Sequence, residues 1–317
     1  NPKPQTPNPK PQTPNPLNLC RTYLLAAIKM HKEAEKHADP HQKPQADPKP
    51  ANPSSAEEEE FYLDFEASGE DSDGNKYGTI QEMWKDYMYK KKDEKDEGWY
   101  EKGLAYWENS PSDISGVLGD YGYTHPIDIA DSEKLLEKMQ EFGVKTDSVL
   151  DVGAGIGRIS DGFLTKKFKH VDLLEPAANF MEVAKKTLDG RARNFYREGI
   201  EHFQFKTNYD VIWIQWVVAS ITDKDLVGFL KKAAQHLTPS GLIVVKDNST
   251  AEHVGFIVDK EDTSVSRGVP YFKKIFEKAG LEVLLAEHFE EFPKECIPVW
   301  KFVLRPKHQT QVSTESK

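Results

Sequence analysis

The chain predicts an α/β fold: a mostly parallel sheet with helices on both faces and an antiparallel pair of strands at its C-terminal edge. Three observations carry that expectation. From residue 148 onward, short apolar runs alternate with stretches of helix-forming sequence, the spacing that joins parallel strands through helices. The first run, Val149-Leu150-Asp151-Val152, ends in an acidic residue and a valine and passes into Gly153-Ala154-Gly155-Ile156-Gly157-Arg158, where alternating glycines open a helix. Two final strand-like runs, 282–289 and 297–304, follow the last helix and read as the antiparallel edge pair.

Asn-Pro-Lys-Pro-Gln-Thr-Pro occurs at 1–7 and again at 8–14, an extended low-complexity tail. Residues 18–36 have helix-forming composition, but Pro40, Pro44, Pro48, Pro50 and Pro53 then interrupt the chain. The run Glu57–Glu60 and the loop-like Gly69-Glu-Asp-Ser-Asp-Gly74 follow, so residues 1–75 are expected to form a disordered tail. Segment 76–97 is ambiguous between linker and helix, with Ile80, Met83, Trp84 and Met88 on one possible helical face. From Trp99 the texture changes to aromatic-rich helical sequence (Trp99, Tyr100, Leu104, Tyr106, Trp107), then the loop Gly116-Val-Leu-Gly119-Asp-Tyr-Gly122. A helix over 131–142 stops at Gly143. Strand 148–152, helix 157–168, strand 170–174, helix 176–188, strand 209–214, helix 222–236 and strand 241–246 follow, and helix 269–279 stops at Gly280 before the final pair. The folded domain is therefore expected over 98–306, with a polar tail at 307–317.

Composition bounds the function. The 317 residues with 38% hydrophobic content allow one domain of roughly 200–250 residues plus tails. A net charge of −10 argues against direct nucleic-acid binding and fits a partner that brings positive charge. Cys20 and Cys296 cannot build a disulfide framework, which points to a reducing compartment, the cytoplasm or nucleus. No apolar run reaches membrane-spanning length, and Leu24–Ile28 is too short for a signal peptide. No His/Cys cluster has metal-ligand spacing.

The glycine loop is not the dinucleotide fingerprint G-x-G-x-x-G, because the third glycine comes one position early and Arg158 takes the place that pattern reserves for glycine. Glu175 ends the run Val171–Leu174, eighteen residues past Gly157, where a carboxylate can accept hydrogen bonds from both ribose hydroxyls of an adenosine ligand. Ligands in such sheets bind beyond the carboxyl ends of the strands where chain order reverses. The strand ends of interest are Asp151, Glu175, Gly199-Ile200-Glu201, Gln215-Trp216 and Lys246-Asp247-Asn248.

G-x-G-x-G after an acidic strand end resembles the S-adenosylmethionine (SAM) methyltransferases of the Rossmann-like class. A more specific resemblance runs from about 98 to 306. Asp210-Val-Ile-Trp-Ile-Gln-Trp216, Val244-Val-Lys-Asp-Asn248, Asp262-Thr-Ser-Val-Ser-Arg267, Tyr106-Trp107 and the Gly116–Gly122 loop are similar to the protein α-N-terminal methyltransferases that modify X-Pro-Lys N-termini. That resemblance implies SAM as donor, a free α-amine followed by Pro and Lys or Arg as acceptor, and a monomer acting on exposed protein N-termini. It implies donor contacts at Gly153, Arg158, Glu175, Ile200, Glu201 and Gln215. It implies substrate contacts at Trp107, Leu118, Gly119, Trp216, Asn248, Asp259, Asp262 and Ser264, with Asp262 as the base.

The chemistry agrees with those roles. An α-amine has a pKa of about 7.7–8.0, within reach of a carboxylate base, and an indole face attracts a methylated ammonium. Two departures stand out. Ser220 occupies the position where the family has a histidine, and serine has no useful basicity unless activated. Ile297 sits where the family commonly has tyrosine. His125 and His202 are expected to be ordinary loop or surface residues rather than substitutes. Two alternatives stand beside the leading reading: a SAM-dependent methyltransferase of a small molecule, and a non-catalytic SAM-binding reader of basic N-termini.

Overall fold

The computed structural model describes residues 67–88, 98–251 and 254–307. The expectations for the proline-rich repeat, the 18–36 stretch, Cys20, Glu57–Glu60, residues 89–97 and the tail beyond Lys307 lie outside the described residues. In chain order the first elements are β1 (Gly69–Asp71), β2 (Lys76–Tyr77), α1 (Ile80–Met88), α2 (Trp99–Asn109), α3 (Ile114–Val117), α4 (His125–Gln140) and β3 (Ser148–Val152). A π-helical turn, Ser160–Leu164, runs into α5 (Thr165–Lys167), followed by β4 (His170–Leu174), α6 (Ala178–Thr187) and β5 (Asn194–Tyr196). The second half holds β6 (Tyr209–Gln215), α7 (Asp223–Gln235), β7 (Leu237–Asn248), β8 (Phe256–Asp259), β9 (Ser264–Arg267), α8 (Val269–Lys278), β10 (Leu281–His288) and β11 (Val299–Pro306).

Seven strands form the main sheet in the order β10-β11-β7-β6-β3-β4-β5. Strands β3 to β7 run parallel, while β11 is antiparallel to both β7 and β10. The central strands are buried on both faces, as parallel strands covered by helices must be. Leu150, Val152, Ile212, Ile214 and Ile243 pack against α7 and α8, and the alternating residues Val149, Val211, Trp213 and Val244 pack against α4, the π turn and α6. The chain leaves β3 toward β4 and β5, then returns at β6 on the other side. The crevice between the ends of β3 and β6 is therefore the reversal point.

Several boundaries differ from expectation for local reasons. Helix α4 starts at His125 rather than 131, because Pro126 fits the first helical turn, where its missing N–H costs nothing. The helix expected at 157–168 contains a π turn at Ser160, whose hydroxyl donates to Asp151 Oδ2 at 2.7 Å. The larger correction concerns the tail, expected to be without structure through residue 75, and the domain, expected from 98. Gly69–Asp71 is a strand lying parallel to β8, and with β2 and β9 it makes a second sheet in the order β2-β1-β8-β9. Behind it, Thr79 and Glu82 cap α1 reciprocally, and Tyr77, Ile80, Met83 and Trp84 join the main core. The polar sequence of this hairpin concealed it, since Asp71 is satisfied internally rather than by water.

Candidate active site

A cavity of about 340 Å³ opens over the ends of β3, β4 and β6. Its floor is the glycine loop. Gly153, Gly155 and Gly157 adopt φ of 68°, 55° and 78°, the left-handed region where a side chain is strained. A Cβ on Gly153 would lie 2.5 Å from Val217, so the loop admits no substituent there. The Gly153 and Ala154 N–H groups both donate to the Leu174 carbonyl, at 2.9 and 3.0 Å, fastening the loop to β4. Glu175 is buried between loop and helix start: Oε2 accepts from Gly155 N–H at 2.9 Å and Oε1 from Ala177 N–H at 2.8 Å. Burial pushes its pKa up to about 7 against those two bonds. Each oxygen retains acceptor capacity toward the cavity.

Gly153, Arg158, Glu175, Ile200, Glu201 and Gln215, the donor contacts that the family resemblance implied, all line this cavity. Trp99, Tyr100, Leu104 and Trp107 of α2 close the opposite side, and Trp107 packs on Phe180 with ring centroids 6.3 Å apart. The Arg158 guanidinium lies 5.2 Å from the Trp216 ring centroid and 2.7 Å from Asp128 Oδ2. Gln215 is held from within: Nε2 donates to both Asp128 oxygens at 2.9 Å and Oε1 accepts from Trp213 Nε1 at 2.9 Å.

A second cavity, about 260 Å³, adjoins the first, and Trp107, Val117, Trp216 and Ser220 line both. Trp107, Leu118, Gly119, Trp216, Asn248, Asp259, Asp262 and Ser264, the eight residues implied for the substrate side, line it together. Trp216 adopts φ of 52°, unusual for a bulky residue. Its backbone N–H donates to the Lys246 carbonyl at 3.0 Å and its indole Nε1 to Asn248 Oδ1 at 3.2 Å. Asp247 secures the segment after it, accepting from Val218 N–H at 3.1 Å and Asn248 N–H at 2.7 Å, while burial pushes its own pKa up to about 6.

The acidic wall is the turn between β8 and β9. Asp259 is buried and accepts from Glu261 N–H at 2.8 Å. Asp262 Oδ1 is buried without a hydrogen-bond partner among the described residues. Burial, then the Asp259 carboxylate, push the Asp262 pKa up to about 7, opposed by a hydrogen bond with Ser264. Tyr106 faces the same charges, and burial followed by Asp262, Glu261 and Asp259 raises its phenol to about 12.

Of the two histidines, His202 is the surface residue expected, whereas His125 is half-buried at the start of α4. His125 lines neither cavity and sits 3.1 Å from Arg158, its pKa lowered by burial and by that cation. His202 reaches the rim of the first cavity with its side chain 83% exposed. Ser220 occupies the junction itself, and its carbonyl accepts from Trp99 Nε1 at 2.8 Å.

Sequence reading missed the charges beneath the site. Lys246, fully buried, lies 2.6 Å from Asp128 and 2.8 Å from Asp131, and Lys301 lies 2.7 Å from Asp131. The partners are more than a hundred residues apart, so no spacing pattern announces them. Phe292 and Cys296, on the β10–β11 connection, also line the second cavity. Their only sequence signal is apolar character in a segment between strands.

Comparison with known proteins supplies the context. The family described as AdoMet-dependent proline di-methyltransferases matches over residues 95–305. "Alpha N-terminal protein methyltransferase 1" of Dictyostelium discoideum is 39% identical over 253 residues, 76% of this chain and 92% of that protein. The Arabidopsis thaliana protein of the same name is 36% identical, covering 78% of this chain and 96% of that one. "N-terminal Xaa-Pro-Lys N-methyltransferase 1" of Xenopus tropicalis is 40% identical over 65% of this chain and 95% of that one. A solved structure of a SAM-dependent methyltransferase from Leishmania major superimposes with a TM-score of 0.72 at 36% identity, covering 80% of this chain and all of that one.

Proposed function

This chain belongs to the family of AdoMet-dependent proline di-methyltransferases, and we propose that it methylates the free α-amine of proteins beginning X-Pro-Lys or X-Pro-Arg. The observation that carries the reading is a buried carboxylate oxygen, Asp262 Oδ1, left without a hydrogen-bond partner among the described residues in a cavity that adjoins the one lined by Glu175 and the glycine loop.

The first cavity fits SAM by its own chemistry. Glu175, desolvated and still able to accept, suits the ribose hydroxyls. Arg158 suits the ligand's carboxylate, and Ile200 offers an apolar face to its base with Glu201 alongside. The glycine floor at Gly153 excludes side chains from that space. Gln215 braces Asp128, which in turn fixes Arg158. SAM, when bound, supplies a methyl group carried on a positively charged sulfonium.

The second cavity handles the acceptor. Asp262 takes the proton from the α-ammonium, freeing the lone pair for in-line attack. Ser220 contributes no basicity, so the proton goes to Asp262. Asn248, whose amide oxygen is engaged by Trp216, keeps its NH₂ donors for the first-residue carbonyl. Asp259 and Ser264, with Asp262, form the wall that receives the third-position cation. Leu118 and Gly119 border the entrance, and Trp107 and Trp216 flank the junction, where an indole face holds a methylated ammonium by about 0.5–2 kcal/mol.

One chain supplies both cavities, which supports action as a monomer. The net charge of −10 supports a basic protein end rather than nucleic acid as partner, and no described helix is long and apolar enough to cross a membrane. Cys296 takes part in no disulfide among the described residues, which fits a reducing compartment, cytoplasm or nucleus. The test is incubation with SAM and a Ser-Pro-Lys peptide, reading mass gain and binding separately. Addition of methyl groups to the peptide α-amine is the expected result. Peptide binding without mass gain would leave a non-catalytic reader, and SAM binding without peptide binding would leave a small-molecule acceptor.

A further inference from the structure

Residues 67–88 precede the segment that matches the family, yet they touch the acceptor site from behind. The acidic wall is written Asp259-Lys260-Glu261-Asp262, three carboxylates with an ammonium among them. A cation in that turn competes for the charges that must face the substrate. The structure draws it away. Lys260 Nζ lies 2.5 Å from Asp73 Oδ2 and 4.0 Å from Asp71 Oδ2, on the hairpin side of the turn. Its backbone N–H donates to Ser72 Oγ at 3.2 Å, and Ser72 N–H donates to the Val258 carbonyl at 2.9 Å. The pairing Asp71↔Val258 sets this register.

The receiving hairpin is itself prepared. Asp71 is buried and accepts from Asp73 N–H at 3.0 Å, Asn75 N–H at 2.9 Å, Asn75 Nδ2 at 2.9 Å, and the hydroxyls of Tyr77 and Tyr87 at 3.3 and 3.2 Å. The other side of the turn is also fixed: Lys102 Nζ donates to the Lys260 carbonyl at 2.6 Å and Thr263 Oγ1 to the Trp99 carbonyl at 3.2 Å. Backbone restraints therefore hold the turn in place, and the Asp71–Asp73 carboxylates govern where the Lys260 charge goes.

We propose that Asp73, with Asp71, is a positioning group of the acceptor site: it holds the Lys260 ammonium outside the substrate cavity, so that this ammonium does not compete with the substrate's cation for the carboxylates of the turn. This rests on the proposed X-Pro-Lys acceptor. The substitution that tests it is Asp73→Lys, at an exposed side chain (62%) outside both cavities.

Released from its partner and repelled, Lys260 turns toward the acidic wall. The KM for a Ser-Pro-Lys peptide should then rise roughly three- to fivefold, the scale of one partly exposed charge. The SAM affinity should be unchanged, and KM for a Ser-Pro-norleucine peptide, matched in shape but uncharged, should move far less. The double variant Asp73→Lys with Lys260→Gln should return KM for the lysine peptide to the wild-type value. Equal losses on both peptides, an unchanged KM in the single variant, or a double variant no better than the single would each overturn the assignment. Wild-type turnover in the same assay separates this outcome from a failure of the acceptor reading itself, since an inactive wild type faults the latter alone.

Discussion

Along α4 and β7, Asp128 and Asp131 each meet two buried cations, whereas on the β8–β9 turn Asp262, half-buried with its Oδ1 fully so, has no ion-pair partner among the described residues. The two regions handle the same problem differently. Burial alone would raise the Asp128 carboxyl, but Lys246 and Arg158 hold it below the ordinary value. Burial raises the Asp262 carboxyl, and the neighbouring Asp259 raises it further. A buried charge that is fully paired keeps shape, and removing one partner strands the other. A buried acid that is left unpaired costs stability and is retained where a ligand completes it. The paired cluster sets Arg158 and Gln215 under the donor cavity; the β8–β9 turn leaves Asp262 Oδ1 without a hydrogen-bond partner among the described residues.

The largest effect is expected at Asp262. Asp262→Asn should preserve fold and SAM affinity yet lower methyl transfer by roughly 10²- to 10⁴-fold, the range for a positioned base. Near wild-type turnover in rapid-mix mass spectrometry would remove Asp262 from its role. The mirror experiment is Asp128→Ala, which strands Arg158 and Lys246 and should destabilise the fold by about 3–5 kcal/mol in denaturant titration. A loss well under that would mean that water or rearrangement satisfies these cations and that the cluster is not the rigid base described.

Two smaller effects sharpen the contrast. Glu175→Ala should weaken SAM binding by about 1–3 kcal/mol in calorimetry, because hydroxyls and the Gly155 and Ala177 N–H groups lose their acceptor. Unchanged affinity would place the ribose elsewhere. Trp216→Leu removes the indole at the junction, worth about 0.5–2 kcal/mol to a methylated ammonium. The product spectrum should shift toward monomethyl peptide, and an unshifted spectrum would assign retention of the intermediate to other residues.

The two regions also differ in how far the sequence exposes them. The donor side was legible because its parts are local: Asp151 to Arg158 is one unbroken run, and Glu175 follows at a fixed distance set by one helix and one strand. The order of strands and helices from Ser148 to Gln215 follows from alternation of apolar runs, except for β5 (Asn194–Tyr196), whose three residues are too few for a run to register. The acceptor side was reached through family likeness. Its walls come from α2, the Gly116–Gly122 loop, β6, β7, the β8–β9 turn and the 292–297 connection, whose meeting depends on tertiary packing. Strands of two to four residues such as β1, β2, β8 and β9 carry too few positions for alternation to register. The Asp128–Lys246–Asp131–Lys301 cluster is invisible for a different reason: Asp128 and Asp131 sit three apart on a helix and look like solvated positions until β7 and β11 bring lysines to them.

The pH dependence of kcat/KM for a Ser-Pro-Lys peptide tests the central assignment most directly, because its acid limb reads the free enzyme. With Asp262 as proton acceptor, its protonated form is inactive, so the wild-type rate should rise with pH through about 7 and flatten above it. In Asp262→Asn that limb should disappear and be replaced by one in the range of the amine itself, about 7.7–8.0 or higher. A wild-type limb near 7 that persists unchanged in Asp262→Asn would contradict the assignment and locate the titrating base at another residue.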